Sequence, residues 1–504
     1  MSQFTRRKFL GQVAGAAVAA SLPRTLRAQA PATKAGRKPN VLFFIVDDMR
    51  VELGCYNSMF GALTPNMDAL AKAGVRFDRN YCQFPLCNPS RSSLMTGRFP
   101  TQTGVLGNRS NFRTIHPDWV SLPQLFKENG YDSLRSGKIF HGGLDDPKAW
   151  TEGGGAREGD GGAGGHTMVI PRVPGPAAPG YVEAPLPQDT SQAAHSDRIV
   201  ILDGNGEGHP DYHTADLAID YLRRYKDKDQ PFFVGCGPVK PHSPPCAPQK
   251  FLDLYDANKI KLTPDFAPWP TVPPGFPSAA IRKRNADLFI GRHATEAEAR
   301  EVIRAYIAST SWTDWNIGRV VAELDRLGLR ENTIIVLMVD HGYQLGEKGK
   351  WSKAGSLFEM GTRIPLIISA PGAAGNGTAC FRPVQSLDVY PTLVELCGLP
   401  QPPQGLQGTS LTPLLRQPAA EWGRPAFSVW SEDGRTLHGV AVRTEKWRFA
   451  EFGPDGANGA MLFDPKADPL EMTNLADDPK YASVRTELSA LTRKYAATLG
   501  KMPA

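Results

Sequence analysis

Four side chains with metal-binding chemistry come directly after two apolar runs of the chain. They are Asp47, Asp48, Asp340 and His341. Three clustered carboxylates repel one another unless a cation lies among them. Oxygen ligands favour a hard divalent cation such as Ca²⁺ or Mg²⁺, whereas the imidazole of His341 suits a transition metal. A single Asp pair is more often a helix or turn cap, but two such pairs favour a metal site.

Cys87 lies in a second segment with reactive chemistry. Pro89 sets a turn and can begin a helix, which places Cys87 just before a helix N-terminus. Amide donors and the positive end of the helix dipole stabilise negative charge there, and Arg91 can point back to the same position. Separately, a buried structural cysteine and a solvated arginine are the better explanations. Together, and followed by residues 94–98, they predict an anion-binding nucleophile.

Apolar runs alternate with helical patterns through most of the chain. The runs are residues 40–46, 131–134, 231–236, 333–339 and 365–369. The helical patterns are residues 66–73, 122–129, 214–226, 296–327 and 388–396. This alternation predicts an α/β fold with a large, mostly parallel sheet sandwiched by helices. Ligands gather at the carboxyl ends of strands in such sheets, which is where both acidic pairs lie.

The pattern changes after Gly423. Three short strand-like runs and a helical pattern follow: residues 426–430, 439–443, 447–451 and 481–499. They predict a smaller C-terminal antiparallel sheet packed with a helix. The predicted organisation is a signal segment at 1–30, a catalytic domain at 31–420 and a C-terminal subdomain at 421–504.

The first thirty residues are typical of an export signal. They hold the twin-arginine pattern Arg6-Arg7-Lys8-Phe9-Leu10, a mildly apolar run and small residues around Ala28. Five basic and no acidic residues lie here, so the formal net charge of +6 leaves about +1 for residues 31–504. That small charge argues against a nucleic-acid partner. No other segment reaches membrane-spanning length, and we expect a periplasmic or secreted protein without stable membrane insertion.

Two stretches interrupt the pattern of strands and helices. Residues 142–197 are rich in Gly and then in Pro, and residues 263–278 are rich in Pro. Irregular stretches of this length are usually functional or mobile. We expect substrate choice to depend on residues 142–212 and 263–290, which leave the particular glycan undefined.

The seven cysteines show no CxxC pair and no zinc-type spacing. An odd count leaves at least one thiol unpaired, and Cys87 is the natural candidate. Cys236 and Cys246 could pair in an oxidising compartment, a question that the sequence leaves open.

These segments together resemble a known family. From Asn40 to about Leu475, the chain is similar to type I sulfatases of the alkaline-phosphatase superfamily, and within them to the iduronate-2-sulfatase group. The most specific match is Cys87-Asn-Pro-Ser-Arg91, which has the C-x-P-x-R pattern of these enzymes. Other matching segments are residues 40–48, 64–68, 122–131, 137–141, 240–242, 340–347 and 351–353.

The resemblance implies a calcium site and a modified nucleophile. The implied ligands of one Ca²⁺ are Asp47, Asp48, Asp340, His341 and residue 87. A formylglycine-generating maturation enzyme would convert Cys87 to formylglycine (3-oxoalanine), whose hydrate carries two hydroxyl groups. One hydroxyl would attack sulfur and expel the sugar alkoxide. Loss of the proton of the other hydroxyl would then let the sulfate hemiester collapse to the aldehyde and free sulfate.

The resemblance also implies roles for five further side chains. Arg91 and Lys138 would hold the hydrated aldehyde and the sulfate oxygens. His242 and Lys353 would stabilise or protonate the leaving oxygen, and His141 would take the proton of the second hydroxyl.

The predicted function is therefore hydrolysis of sulfate esters on a sulfated saccharide, after export by the twin-arginine machinery. Two alternatives stay open. A phosphonate monoester or phosphodiester hydrolase can share the scaffold and the C-x-P-x-R pattern. An exported glycan-binding protein with a degenerate site is an alternative from a different functional class.

Overall fold

The computed structural model describes residues 37–154, 165–168 and 195–497. The predicted signal segment at 1–30 and most of the irregular stretch at 142–197 lie outside the described residues. The described residues lie within one compact unit, Pro31–Ala504, and its division near residue 420 stays a prediction. Within the described ranges, no helix has both the length and the apolar character needed to cross a membrane.

A seven-stranded sheet forms the centre of the fold. Its strands are β1 (Asn40–Val46), β2 (Val75–Phe77), β3 (Asp132–Gly137), β4 (Phe232–Gly237), β5 (Thr333–Val339), β6 (Leu366–Ser369) and β7 (Ala379–Cys380). Their order across the sheet is β7-β2-β6-β5-β1-β4-β3. Strands β5, β1, β4 and β3 are parallel, and β6 runs antiparallel to both of its neighbours. The predicted mostly parallel sheet is confirmed.

Strand β1 shows why the central runs are apolar throughout. All seven of its residues are buried. Alternate side chains face opposite sides of a strand, and here Phe43 belongs to one hydrophobic core while Phe44 belongs to another. A strand with a core on each face has no solvent-facing position for polar residues. Each large apolar side chain buried in this way contributes about 1.5–3 kcal/mol.

Helices cover both faces of the sheet. In chain order they are α1 (Pro65–Ala73), α2 (Cys87–Thr96), α3 (Pro100–Thr103), α4 (Phe112–Ile115), α5 (Leu122–Glu128), α6 (Pro210–Tyr225), α7 (Gln249–Leu252), α8 (Glu296–Arg326), α9 (Glu359–Thr362), α10 (Val389–Cys397), α11 (Thr412–Arg416) and α12 (Ala482–Ala497). Helices α2, α5 and α10 pack against one face, and α1, α6 and α8 against the other.

Helix α6 begins four residues before its predicted start, at Pro210. Pro is favoured at the first helical position because its missing N–H is not needed there. The ring of His209 caps the helix by accepting a hydrogen bond from the backbone of Asp211. These local signals extend the helix beyond its apolar pattern.

The C-terminal part forms a four-stranded antiparallel sheet. Its strands are β8 (Ala426–Trp430), β9 (Gly439–Arg443), β10 (Arg448–Phe452) and β11 (Ala460–Phe463). Leu488 of α12 packs with Phe449 and Leu462 of this sheet, so the predicted sheet and helix are confirmed. Strand β11 was not predicted from the sequence, because its four residues are too few for a clear pattern.

The described residues also form two small three-stranded sheets. One joins Asn80–Tyr81, Arg363–Ile364 and Val384–Gln385, and the other joins Gly165–Met168, Ile199–Leu202 and Cys246–Pro248. All seven cysteines lie in described residues and are unpaired, including Cys236 and Cys246.

Candidate active site

The predicted site residues meet at one edge of the central sheet. Val46 of β1 pairs with Val339 of β5, so the acidic pairs that follow these strands become neighbours. The neighbouring parallel strands β4 and β3 end at the same edge. Residues 240–242 follow β4, and residues 138–141 follow β3. Four consecutive strand ends thus supply most of the site.

Helix α2 brings Cys87 to this edge. The helix begins at Cys87 itself rather than after it as predicted, and Pro89 lies in its first turn. The Ser90 hydroxyl donates to the backbone oxygen of Asp340 at 2.5 Å. On the other side, the Asn88 amide donates to the backbone oxygens of Gly107 and Ser110. The position of Cys87 is therefore fixed from both sides.

Four of the predicted ligands lie close enough to one another to bind a single metal ion. One atom each from Asp47, Cys87, Asp340 and His341 lies within 4.8 Å of the others. Asp48, the fifth predicted ligand, groups in the same way with Cys87 and His242. All predicted metal ligands are thus brought together, while the identity of the ion stays a prediction.

Arg91 is fully buried between the Asp47–Asp48 pair and the Asp340–His341 pair. Its Nε donates to Asp340 Oδ2 at 2.9 Å, and its Nη2 lies 3.4 Å from Asp47 Oδ1. Its Nη1 donates to the backbone oxygens of Lys138 and Ile139 at 2.6 and 3.1 Å. The guanidinium therefore joins the ends of β1, β5 and β3.

Two lysines each hold one carboxylate oxygen of the Asp47–Asp48 pair. Lys138 Nζ donates to Asp47 Oδ2, and Lys353 Nζ donates to Asp48 Oδ2 at 2.8 Å. Lys353 Nζ also lies 3.1 Å from His242 Nε2 and 3.3 Å from Asp287 Oδ1. Asp287 lies in the loop at 263–290 that showed no pattern, so sequence reasoning missed it.

We call these side chains the strand-end cluster. Its members are Asp47, Asp48, Cys87, Arg91, Lys138, His242, Asp340, His341 and Lys353.

The acidic members of the strand-end cluster differ in their affinity for protons. Burial raises the pKa of Asp48 and Asp340. Burial also opposes the charge on Asp47, but Lys138, His242 and Arg91 outweigh it and hold the pKa well below its usual range. The nearby cations outweigh the cost of burial at Asp47 but not at Asp48 and Asp340.

His341 is surrounded by groups that favour its positively charged form. Its Nε2 lies 3.2 Å from Cys87 Sγ, and its Nδ1 lies 3.2 Å from Asp48 Oδ1. Burial disfavours the imidazolium, but Asp340, Cys87 and Asp48 raise the pKa of His341 to about 10. A proton and a metal cation are stabilised by the same anionic groups, so the proton marks where a metal fits.

Two buried carboxylate oxygens provide a second test of the metal site. Asp47 Oδ1 and Asp48 Oδ1 accept no hydrogen bond from any described residue. Unsatisfied buried carboxylate oxygens are costly, and a divalent cation among them would offset that cost. The donor set of three carboxylates, one imidazole and residue 87 fits a mostly oxygen-ligated ion.

Two histidines at the site are neutral near pH 7. Burial and the nearby charge of Lys138 lower the pKa of His141 to about 4. Burial and Lys353 hold the pKa of His242 well below its ordinary value. The Nδ1 atom of His141 is buried without a hydrogen bond to any described residue. Both rings can therefore accept a proton.

Tyr306, in the middle of α8, is a positioning residue that sequence reasoning missed. Its hydroxyl donates to the backbone oxygen of Asp48 at 2.7 Å and accepts from the backbone of Arg50 at 3.0 Å. Asp48 has a φ of 59°, a left-handed conformation that is uncommon for a residue with a side chain. The contact joins residues 258 positions apart, and no local pattern can reveal it.

A cavity of about 850 Å³ lies beside the strand-end cluster. Its lining includes Cys87, Lys138, His141, His242 and Lys353. The rest of the wall comes from residues 106–110 and 430–435, together with Leu86, His195, Ser196, Ser243, Arg282, Ala286, Asp287 and Ala354. Five of the six predicted catalytic residues thus border a space large enough for a saccharide, and Arg91 is not part of its lining.

The family of the chain follows from its match to known proteins. Residues 39–399 match the family described as sulfatase, and residues 346–497 match the family described as N-sulphoglucosamine sulphohydrolase, C-terminal. The chain belongs to the sulfatase family. Its predicted enzyme class, sulfuric ester hydrolase, is confirmed.

Two relatives illustrate the similarity. A sulfatase from Formosa agariphila is 32% identical, covering 92% of this chain and 87% of the relative. Iduronate 2-sulfatase from Mus musculus is 30% identical, covering 88% of this chain and 92% of the relative.

A solved structure supports the fold. It is that of a protein in complex with its substrate, D-glucosamine-2-N,6-O-disulfate. The match has a TM-score of 0.70 and 24% identity, covering 92% of this chain and 98% of the other. The predicted alkaline-phosphatase-like fold is confirmed, while the roles of individual site residues stay predictions.

Proposed function

We propose that this sulfatase removes sulfate from a sulfated sugar or glycan with a formylglycine at position 87 and one bound Ca²⁺. The observation that carries the proposal is the position of Cys87. It is the first residue of α2, lies 3.2 Å from the His341 ring and borders the 850 Å³ cavity. A nucleophile at that point has the carboxylate-rich site on one side and room for a substrate on the other.

The modification of Cys87 is supported by what the surrounding groups could do with it. An alcohol or thiol nucleophile would leave a stable sulfated side chain, whereas a hydrated aldehyde has a second hydroxyl whose proton can be removed to free the sulfate. The chain supplies a neutral histidine at this site to take that proton. We propose His141 for the role, because its pKa of about 4 leaves its ring unprotonated at pH 7.

The proposed ion would be held by Asp47, Asp48, Asp340, His341 and residue 87. Oxygen donors dominate this set, which favours Ca²⁺ over the softer transition metals. When bound, the ion would supply positive charge that stabilises the transferring sulfuryl group.

Two basic side chains can hold the sulfate group itself. Arg91 Nη2 is buried without a hydrogen bond to any described residue. Lys138 borders the cavity while it donates to Asp47. An ammonium group has three donors, so Lys138 can bind a sulfate oxygen in addition to that carboxylate. Fixed donors of this kind stabilise charge that develops in the transition state.

His242 and Lys353 form a pair suited to the leaving oxygen. The Lys353 ammonium lies 3.1 Å from His242 Nε2, and both residues border the cavity. Asp287 and Asp48 overcome the effect of burial and keep the pKa of Lys353 well above its ordinary value. Lys353 therefore stays charged and can stabilise or protonate the departing alkoxide.

A saccharide substrate is supported by the similar proteins. Iduronate 2-sulfatase aligns over 88% of this chain, and a structurally similar protein was solved with a disulfated glucosamine. The twin-arginine pattern in residues 1–30 supports export to the periplasm or beyond. Maturation of Cys87 before export by a formylglycine-generating enzyme is part of the proposal.

The proposal is tested by producing the protein in a host that has a formylglycine-generating enzyme. Mass spectrometry of the peptide containing residue 87 should show the aldehyde. The purified protein should release inorganic sulfate from members of a panel of sulfated di- and oligosaccharides. It should turn over an aryl sulfate faster than the matching aryl phosphonate. A peptide that keeps its thiol, together with no turnover of any sulfate ester, contradicts the proposal.

A further inference from the structure

The wall of the cavity is rich in charged side chains. Its described lining includes five basic side chains and three carboxylates. They are Arg109, Lys138, Arg282, Lys353, Arg435, Asp287, Glu432 and Asp433. Two further carboxylates, Asp47 and Asp48, contact Lys138 and Lys353 from outside this lining, so the site for an added anion depends on which basic side chains have no partner.

Three of the five basic side chains already have partners. Lys138 and Lys353 pair with carboxylates of the strand-end cluster. Arg282 Nη2 lies 3.0 Å from Glu432 Oε2, and its guanidinium lies 5.5 Å from the centre of the Trp430 ring. The positive charges of these three side chains are therefore already paired with carboxylates of the protein.

The Asp433 carboxylate is held by its own loop. It accepts hydrogen bonds from the Ser431 hydroxyl at 3.0 Å and from the backbone of Arg435 and Thr436 at 2.8 Å each. The Thr436 hydroxyl donates to it as well. The backbone bonds from Thr436 and Arg435 hold its pKa below its usual range. Asp433 therefore stabilises the turn and forms no ion pair with a described cavity arginine.

Arg109 and Arg435 are the two basic side chains that remain. Both are exposed, and neither guanidinium has an ion pair or hydrogen bond with another described residue. Both border the same cavity as Cys87. They are therefore the two basic side chains of the described lining that are available to pair with an anionic group of a ligand.

The two arginines come from loops that touch each other. Their backbones approach closely at two glycines, because the position that a Cβ atom would take on Gly107 lies only 3.8 Å from the Cα atom of Gly434. The loop of Arg109 is also fixed to the start of α2, because Asn88 donates to the backbone of Gly107 and Ser110. The backbones that carry both guanidiniums are thus anchored beside the nucleophile position.

We propose that Arg109 and Arg435 bind a second anionic group of the substrate, a carboxylate or a further sulfate. The inference rests on the proposed function, because it places the sulfate that is cleaved at residue 87. A guanidinium forms paired, charge-assisted hydrogen bonds with either group. The substrate class is therefore an acidic saccharide with at least two anionic groups. A singly charged ester would leave both guanidiniums unpaired.

The test compares the matured wild type with Arg109→Ala, Arg435→Ala and the double variant. Two acidic substrates are used, a 2-sulfated uronic acid disaccharide and a disulfated hexose without a carboxylate. The singly charged reference substrate is an aryl sulfate. For at least one acidic substrate, each single variant should lose about 10-fold more kcat/KM than for the aryl sulfate, mostly through KM. The double variant should lose about 100-fold more.

Three controls separate charge recognition from damage to the fold. Arg109→Lys and Arg435→Lys keep the charge and should recover part of the loss. Arg330→Ala removes a partly exposed arginine that precedes β5, at the edge of the sheet opposite the site, and should leave the substrate ratio unchanged. The acidic substrate that shows the larger loss identifies the recognised group as a carboxylate or a sulfate.

Binding provides a readout that does not depend on turnover. Calorimetry with Cys87→Ala protein should show about 10-fold weaker binding of an acidic saccharide when Arg109 or Arg435 is also replaced by Ala. Equal losses on the acidic and aryl substrates, or unchanged binding of both saccharides, would overturn the inference. A wild type that binds these saccharides through both arginines but cleaves no sulfate would instead contradict only the proposed function.

Discussion

Two of the charged clusters that are buried among the described residues of this sulfatase differ in how far their polar atoms are satisfied. One is the strand-end cluster at the edge of the central sheet. The other, which we call the Arg448 cluster, lies between the C-terminal sheet and the main body. Its members are Tyr81, Glu359, Arg443, Arg448 and Glu471.

The Arg448 cluster balances two guanidinium groups against two carboxylates. Arg448 Nε lies 2.7 Å from Glu471 Oε1, and its Nη1 donates to Glu359 Oε2 at 3.2 Å. The Tyr81 hydroxyl donates to Glu359 at 2.9 Å and accepts from Arg443 at 3.0 Å. None of these residues borders the cavity beside Cys87. We interpret this cluster as structural.

The strand-end cluster is equally buried but has more unsatisfied atoms than the Arg448 cluster, in which only Glu471 Oε1 lacks a hydrogen bond from described residues and has Arg448 Nε 2.7 Å away. Oxygen atoms of Asp47 and Asp48 and a nitrogen of Arg91 have no hydrogen bond from described residues. Lys138 and Lys353 of the same cluster border the cavity. The comparison teaches that burial and charge alone do not mark a functional site. Unsatisfied polar atoms next to an accessible cavity are the more informative sign.

The largest difference between the clusters should appear when the nucleophile is removed. We expect Cys87→Ala to lower kcat by at least about 10⁴-fold while the melting temperature stays close to that of the matured wild type. The side chain is small, and its only described partner is the His341 ring. Sulfate release per folded molecule is the measurement. Substantial residual turnover in a preparation free of wild-type enzyme would refute the assigned nucleophile.

Removal of the metal should give the second largest difference in behaviour between the two clusters. Dialysis against a calcium chelator should lower turnover by about 10³-fold, because several kcal/mol of charge stabilisation is lost. Added Ca²⁺ should restore it, and Asp48→Asn should raise the concentration of Ca²⁺ required. Full activity in wild-type protein shown by elemental analysis to contain no metal would rule out the proposed ion.

The Arg448 cluster should show the opposite behaviour. Arg448→Met leaves the carboxylates of Glu359 and Glu471 buried without their main partner, which should cost about 3–5 kcal/mol of unfolding free energy. Turnover per folded molecule and its Ca²⁺ dependence should stay near the wild type. Urea unfolding measures the first quantity and titration of activity with Ca²⁺ the second.

A double variant provides the control for this cluster. Adding Glu471→Gln to Arg448→Met removes one of the unpaired charges and should recover part of the lost stability. If Arg448→Met instead lowered kcat strongly without loss of stability, the division into a structural and a functional cluster would be wrong.

Much of the fold could be predicted because burial on both faces makes the central strands continuously apolar. The predicted bounds of β1 and β5 agree with the structure at both ends. Strand β11 was not predicted because it is four residues long, and the start of α6 was placed four residues too late because its first turn depends on a cap and a proline.

The site was predictable only where its residues lie next to strand ends or within a family motif. Asp47 and Asp340 follow apolar runs, and Cys87 belongs to the C-x-P-x-R motif. Asp287 and Tyr306 have no such neighbours, and they reach the site only after the chain folds. The same holds for Arg435, whose loop follows a strand of the C-terminal sheet.

Tyr306 provides the finest test of the comparison, because it links the strand-end cluster to α8 without bordering the cavity. Tyr306→Phe removes the hydrogen bond to the Asp48 backbone, which has a φ of 59°. Groups that orient ligands in this way typically contribute about 10–100-fold to metal affinity. We therefore expect a Ca²⁺ dissociation constant about 10-fold higher, with kcat at saturating Ca²⁺ close to the wild type.

Tyr343→Phe is the matched control for this change. Tyr343 is also buried and stacks on Tyr306, but its hydroxyl donates to the backbone of Trp351 rather than to Asp48. Its loss should lower stability to a similar degree without the same change in Ca²⁺ affinity. Equal shifts in both variants would show that Tyr306 acts through general packing. A shift confined to Tyr306→Phe would extend the functional cluster beyond the groups that touch the substrate, to the hydrogen bond that sets the conformation of Asp48.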